Sequence, residues 1–253
     1  PKPRQIFASS GNSSVQLRRL GELMWIYIET LPSTSWPISK SYWETSSFEI
    51  LSSDADTGEI VIDYDQSSIL KMKIEHGIKE ASTEIFLTQV DKDSNELVSN
   101  IELIQSELEK VVNYFAESID SFSGTSLAAQ NLNEKKKAKI FTENGQTVIE
   151  LDLSFNRAWS SVSKALTAAS IVSNDRDRSK GILYVSYEKE KKEGFLSFLG
   201  FGNNNAEIAF TEEAQFEINI VEKNNKSYVK AISKNDKIEE AEQLLSKINE
   251  ALN

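Results

Sequence analysis

The chain has 253 residues, with 28 Lys+Arg against 39 Asp+Glu, one His and no Cys, for a formal net charge of −11. This composition excludes disulfides, Cys-ligated zinc, iron–sulfur clusters and thiol nucleophiles, and a single His excludes His-rich metal sites and most His-relay chemistry. A pI near 4.8 argues against electrostatic binding of nucleic acid, whereas 39% apolar residues are enough for a folded core. The length suits two small domains or one large one, and no apolar run approaches the ~18 residues that would span a membrane.

Residues 1–14, PKPRQIFASSGNSS, are rich in Pro, Ser, Gly and Asn and read as a tail entering a domain. The chain opens on Pro with no leader pattern, as expected of a mature or trimmed chain, and this carries no information about compartment. From Met24 to Ile28 apolar residues form a strand, followed by a helical stretch containing Trp36. A short apolar piece, Phe48 to Leu51, leads to an acidic turn at Asp54, then Gly58 and a strand ending in Tyr64. Two alternating segments follow, Ile69 to Ile74 and Thr83 to Val90. A long helix then carries Ile101, Ile104, Leu108, Val111, Val112, Phe115 and Ile119 on one face.

The same order recurs 123 positions later: Trp36, Asp54, Gly58 and Tyr64 correspond to Trp159, Asp177, Gly181 and Tyr187. In the second copy the strands are Val148 to Leu153, Ile171 to Ser173, one after Gly181 ending in Tyr187, Ala206 to Val221 and Ser227 to Ile232. Its closing helix carries Ile238, Ala241, Leu244, Leu245, Ile248 and Leu252. Each copy reads β-α-β-β-β-β-α, an α+β layout with a mainly antiparallel sheet packed by two helices and compatible with a helix-grip arrangement. The expected organisation is a tail over 1–14, a first domain over 15–120, a flexible linker over 121–138 carrying Lys135, Lys136 and Lys137, and a second domain over 139–253. The negative charge concentrates in the first domain, at −10 for residues 1–120, which reads as a solubility feature.

Few constellations could carry chemistry. Asp175-Arg176-Asp177-Arg178-Ser179 begins like a calcium loop, but Lys180 stands where Gly is needed and Ser186 where a bidentate Glu is needed. It and Asp54-Ala55-Asp56-Thr57-Gly58 read as hairpin turns. His76 reads as an ordinary turn or surface residue, because no nucleophile or orienting partner accompanies it. Trp36 and Trp159 read as core aromatics pinning helix to sheet. The sequence contains no nucleophile elbow, no dinucleotide fingerprint and no P-loop, so neither a catalytic residue nor a cofactor or metal site is expected. The most unusual stretch is Gly194-Phe195-Leu196-Ser197-Phe198-Leu199-Gly200-Phe201-Gly202. Either it caps its own domain, or Phe195, Leu196, Phe198, Leu199 and Phe201 form a contact for a partner or a membrane surface.

Several segments resemble the BamC family, the NlpB/DapX-type lipoproteins of the outer-membrane β-barrel assembly machinery. In the first copy they are VQLRRLGELMWIYIETLPSTSWPISKSYW, DTGEIVIDY and ASTEIFLTQVD; in the second, NDRDRSKGILYVSYE and GFLSFLGFG. The resemblance covers most of residues 15–252, and the pairing of DRDRSKG with GFLSFLGFG is its most specific part. It implies two helix-grip domains joined by a flexible linker. It also implies export, a lipid anchor on an upstream Cys, and residence at the outer membrane facing the periplasm or the cell surface. The family's extended upstream region docks on BamD within a BamA-containing complex. That region is not in this chain beyond a remnant in 1–14, so no docking residue is carried over. The expected function is a non-enzymatic scaffold; the alternative is a START-like carrier holding a small apolar ligand between helix and sheet.

Overall fold

A computed structural model of the chain describes residues 3–8, 14–119, 124–187 and 215–253. It divides into two compact units, Pro1–Lys137 and Ala138–Asn253. The first unit runs β1 (Arg4–Ala8), β2 (Val15–Leu20), β3 (Leu23–Ile28), α1 (Pro32–Thr45), β4 (Glu49–Asp54), β5 (Glu59–Asp63), β6 (Ser68–His76), β7 (Thr83–Asp91), β8 (Leu97–Val98) and α2 (Ile101–Ser118). A 3₁₀ turn, Leu127–Ala129, and α3 (Gln130–Glu134) complete it. The second runs β9 (Ala138–Glu143), β10 (Gln146–Leu151), α4 (Phe155–Ala168), β11 (Val172–Asp177), β12 (Ile182–Ser186), β13 (Phe216–Lys223), β14 (Lys226–Ser233) and α5 (Ile238–Leu252).

The strand orders are β1-β2-β3-β7-β6-β5-β4, with β8 beside β7, and β11-β12-β13-β14-β10-β9. Every pairing is antiparallel. Both units follow one path: a hairpin, a helix crossing to the far edge, and a meander back to the hairpin's inner strand. The fold is α+β, as the alternation predicts. In β6 the side chains of Ser68, Leu70, Met72, Ile74 and His76 are buried while those between them are not, the period-2 pattern of a strand with one face on a core. That core is closed by Leu108, Val111, Val112 and Phe115 of α2, all with no exposed surface. Trp43 of α1 is equally enclosed, its indole N–H donating to Met72 Sδ at 3.3 Å.

The 123-residue offset places equivalent residues in equivalent roles. Trp36 and Trp159 are 5% and 4% exposed on the first helix of each unit. Gly58 and Gly181 have φ of +75° and +72°, and their carbonyls accept from Ile74 N–H at 2.7 Å and Ile220 N–H at 2.8 Å. A Cβ at either glycine would collide with the carbonyl oxygen of that same partner, Ile74 or Ile220. Glycine is required at both by close backbone approach as well as by φ.

Four expectations need correction. Residues 4–8 of the presumed tail form β1, which pairs with β2 from Arg4↔Arg19 to Ala8↔Gln16 and packs Phe7 on the core. Each unit has a hairpin strand before the first one read from sequence: β2 in the first and β9 in the second. His76 is buried at 2% exposure, its Nδ1 lying 2.7 Å from Gly77 O.

The fourth correction concerns the stretch 121–138, whose described residues up to 137 are docked on the first unit. Pro37 lacks the N–H that would bond to Ser33 O inside α1, and Ser126 N–H takes that carbonyl at 2.8 Å. The orphan N–H of Ser33, in the first turn of α1, is accepted by Asn133 Oδ1 at 3.0 Å. Ala129 and Leu132 are buried, and Leu132 Cδ1 lies 3.2 Å from the Cβ position of Gly58. The three lysines of the expected linker are all engaged. Lys135 donates to Asp56 O (2.6 Å) and Lys136 to Glu80 Oε1 (3.0 Å). Lys137 pairs with Glu84 Oε2 (2.6 Å) and Glu75 Oε2 (3.0 Å). The excess of acid on the first unit is what these cations answer.

Candidate interaction surface

The polar residues that drew attention in the sequence serve turns. Asp54 Oδ1 accepts from Asp56 N–H at 2.9 Å. Asp177 Oδ1 accepts from Ser179 Oγ at 2.6 Å and from Lys180 N–H at 3.2 Å, and Asp177 pairs with Lys180 Nζ at 3.1 Å. These contacts, Ser179 foremost, hold the Asp177 carboxyl down at about 2. Its lone pairs are directed at its own loop, which is hairpin chemistry rather than a cation cradle. Among the described residues no group of three His, Asp or Glu side chains could hold a metal ion.

A groove that the sequence did not announce lies in the first unit. β3 and β7 pair through Ile26↔Ile85, Tyr27↔Glu84 and Ile28↔Thr83. Further along, the same edge of β7 is taken by β8, through Gln89↔Val98 and Val90↔Leu97. Between these two pairings lies an apolar space of about 300 Å³, lined by Leu23, Met24, Leu87, Leu97, Val98 and Ile104 among others. Leu97 is 76% exposed and Leu23 41%. The volume stands at the lower bound for small-molecule sites. The sequence signal was an apolar pair, Leu97-Val98, inside the polar run SNELVSN, which reads more readily as a helix entry. Beneath the middle of α2, Val111, Val112 and Phe115 fill the space a carrier would leave open.

The residues read as a contact stretch, Phe195, Leu196, Phe198, Leu199 and Phe201, lie outside the described residues. No helix among the described residues is long and apolar enough to cross a membrane.

Comparison with known proteins follows the division into units. The family model of the outer membrane protein assembly factor BamC-like C-terminal domain matches residues 138–253, which is the whole second unit. The outer membrane protein assembly factor BamC of Thiobacillus denitrificans is 23% identical over 230 residues, covering 74% of this chain and 62% of that protein. The protein of the same name from Accumulibacter regalis is 22% identical over 273 residues, covering 90% of this chain and 71% of that protein. The chain thus spans less than two thirds of the length of the first of these relatives. The second unit is thus similar to BamC-like C-terminal domains, and the chain as a whole resembles, at 22–23% identity, outer membrane protein assembly factors named BamC.

Proposed function

We propose that this protein is a non-enzymatic accessory lipoprotein of the β-barrel assembly machinery. It works as a scaffold whose surfaces hold other members of the complex at the outer membrane during barrel insertion. The observation that carries this reading is the match of a BamC-like C-terminal domain to the full extent of the second unit. The chemistry of the described residues supports it: the repeated carboxylates cap their own turns, as suits a pair of modules offering shape rather than a reaction. By family resemblance its partners are BamD and the BamA-containing assembly, reached through an upstream segment with a lipid anchor. The apolar run at Phe195, Leu196, Phe198, Leu199 and Phe201 is proposed, from its sequence, as a further partner or membrane contact.

Affinity purification of the tagged full-length protein from detergent-solubilised envelopes tests this reading. BamA and BamD should co-purify with it, and deleting the gene should lower the envelope content of β-barrel proteins or sensitise cells to envelope stress. Purification free of both proteins from intact membranes would overturn it. The competing carrier reading draws on the groove at Leu23 and Leu97; native mass spectrometry of the purified chain should then show a bound small apolar molecule.

A further inference from the structure

Strands at the ends of a sheet present unpaired N–H and C=O groups, and proteins blunt them with bulges, charges or covering segments. Four strands end the two sheets: β1 and β4 in the first unit, β11 and β9 in the second. Three of the four are broken. The β1 ladder shifts register between Gln5 and Phe7, the β4 ladder between Ile50 and Ser52, and the β11 ladder between Ser173 and Asp175. The fourth, β9, pairs with β10 over six consecutive residues, Ala138↔Leu151 to Glu143↔Gln146, without a shift. It carries no Pro, and it exposes Ile140 at 43% and Phe141 at 39%.

The first unit shows what this edge accepts. By strand order β9 corresponds to β2, and β2 is covered by the added antiparallel strand β1. Among the described residues β9 has no such cover.

We propose that the β9 edge is a self-association site, pairing antiparallel with β9 of a second copy of this chain about a two-fold axis at Phe141. The occupant follows from parity and charge. Asn144 and Gly145, at φ +51° and +78°, make a two-residue hairpin turn, so the closing pair Glu143↔Gln146 is hydrogen-bonded. Counting back, residues 139, 141 and 143 bond inward to β10, and the N–H and C=O groups of Ala138, Ile140 and Thr142 face outward. The outward N–H of Thr147 on β10, accepted by Glu242 Oε1 at 3.3 Å, obeys the same parity on the other side of the hairpin. Two copies joined through their outward groups therefore pair even-numbered residues with even-numbered ones. The register Ile140↔Thr142 of the second copy then sets Phe141 opposite Phe141 and Lys139 opposite Glu143, twice by symmetry. These are non-hydrogen-bonded pairs, in which side chains approach most closely. Glu143 is half-exposed and shares a surface pair with Lys230 at 2.9 Å, which leaves it room to meet a second cation. The strand is short, so the contact belongs to the weak class below about 1,200 Å², and the dimer forms at high protein concentration.

Sedimentation equilibrium of the full chain at rising concentration tests the proposal. A monomer–dimer equilibrium is expected. Lys139→Glu and Glu143→Lys should each weaken it about tenfold, because each places like charges opposite twice. The double variant K139E/E143K should restore it. Ile140→Pro removes only an outward N–H and should abolish the dimer while leaving the circular dichroism unchanged. If that variant fails to fold, the charge-swap series still decides. A chain monomeric at every concentration overturns the proposal, as does a dimer indifferent to the charge swaps. Neither result bears on co-purification with the assembly machinery.

Discussion

Replacing Gly58 with Ala should cost the first unit far more than replacing Gly21, although both glycines have positive φ. Gly58 has φ +75° and Gly21 +65°, so each substitution forces an L-residue into the left-handed region at about 1–2 kcal/mol. At Gly21 nothing lies within 4 Å of the new Cβ, and the cost should end there. At Gly58 the Cβ collides with the carbonyl oxygen of Ile74 and lies 3.2 Å from Leu132 Cδ1. Relief requires β5 to move away from β6, stretching the 2.7 Å bond from Ile74 N–H to Gly58 O. Weakening one backbone hydrogen bond adds about 0.5–1.5 kcal/mol, and displacing Leu132 adds more, so Gly58→Ala should cost about 2–4 kcal/mol. Urea unfolding followed by Trp fluorescence reads this directly, because Trp25, Trp36 and Trp43 report the first unit and Trp159 the second. Gly181→Ala should move the Trp159 transition in the same way, since its Cβ meets Ile220 O. Equal costs at Gly58 and Gly21 would refute the close-approach argument and leave φ as the whole effect.

Two further outcomes are expected. Lys137→Ala leaves Glu84 buried without its 2.6 Å partner and should destabilise the first unit by about 3–5 kcal/mol in denaturant unfolding, with Lys137→Met costing less because it keeps the apolar stem. Asp177, held at about 2 against an ordinary 3.8, favours the folded state when ionised. Its contribution is full above about pH 4 and is lost as pH falls through 2; Asp177→Asn should flatten the acid limb of the second unit's stability profile, and an unchanged limb would show that the Ser179 and Lys180 contacts do not persist in solution.

The fold was legible wherever one face of an element meets the core. The stripes of α2 and α5 and the alternation of β6 are direct records of burial, and the offset linking Gly58 with Gly181 exposed the repeat because a backbone collision admits no other residue. Edges were illegible for the opposite reason. The apolar pair Ile6-Phe7 of β1 sits among Pro, Ser and Gly, and Ile140-Phe141 of β9 among Lys, Thr and Glu, so composition masked the strands. A signal was nonetheless present at Asn144-Gly145, the residue pair that favours a tight hairpin between alternating segments. The 124–137 segment escaped notice because its contacts are remote in sequence: Asn133 reaches back 100 residues to Ser33, and no local pattern encodes that. The groove beside Leu97 arises from where the β3–β7 ladder stops, a property of register rather than of any one residue.

The bonds between α1 and the 124–137 segment also dictate where the protein can be divided. A fragment ended at 120, past the Ser118 end of α2, would discard Ser126, Asn133 and Leu132. The carbonyl that Pro37 orphans and the N–H of Ser33 would lose their partners, and the glycine turn at Gly58 would lose its cover. A fragment ended at Lys137 keeps all three. The second unit needs no such appendix, because its glycine turn is covered by Phe155 from the start of its own first helix. The two modules share one strand order, yet the first is finished by chain that follows its last long helix, so a domain exchange between relatives that cuts at the end of that helix would transplant the second module intact and leave the first one open.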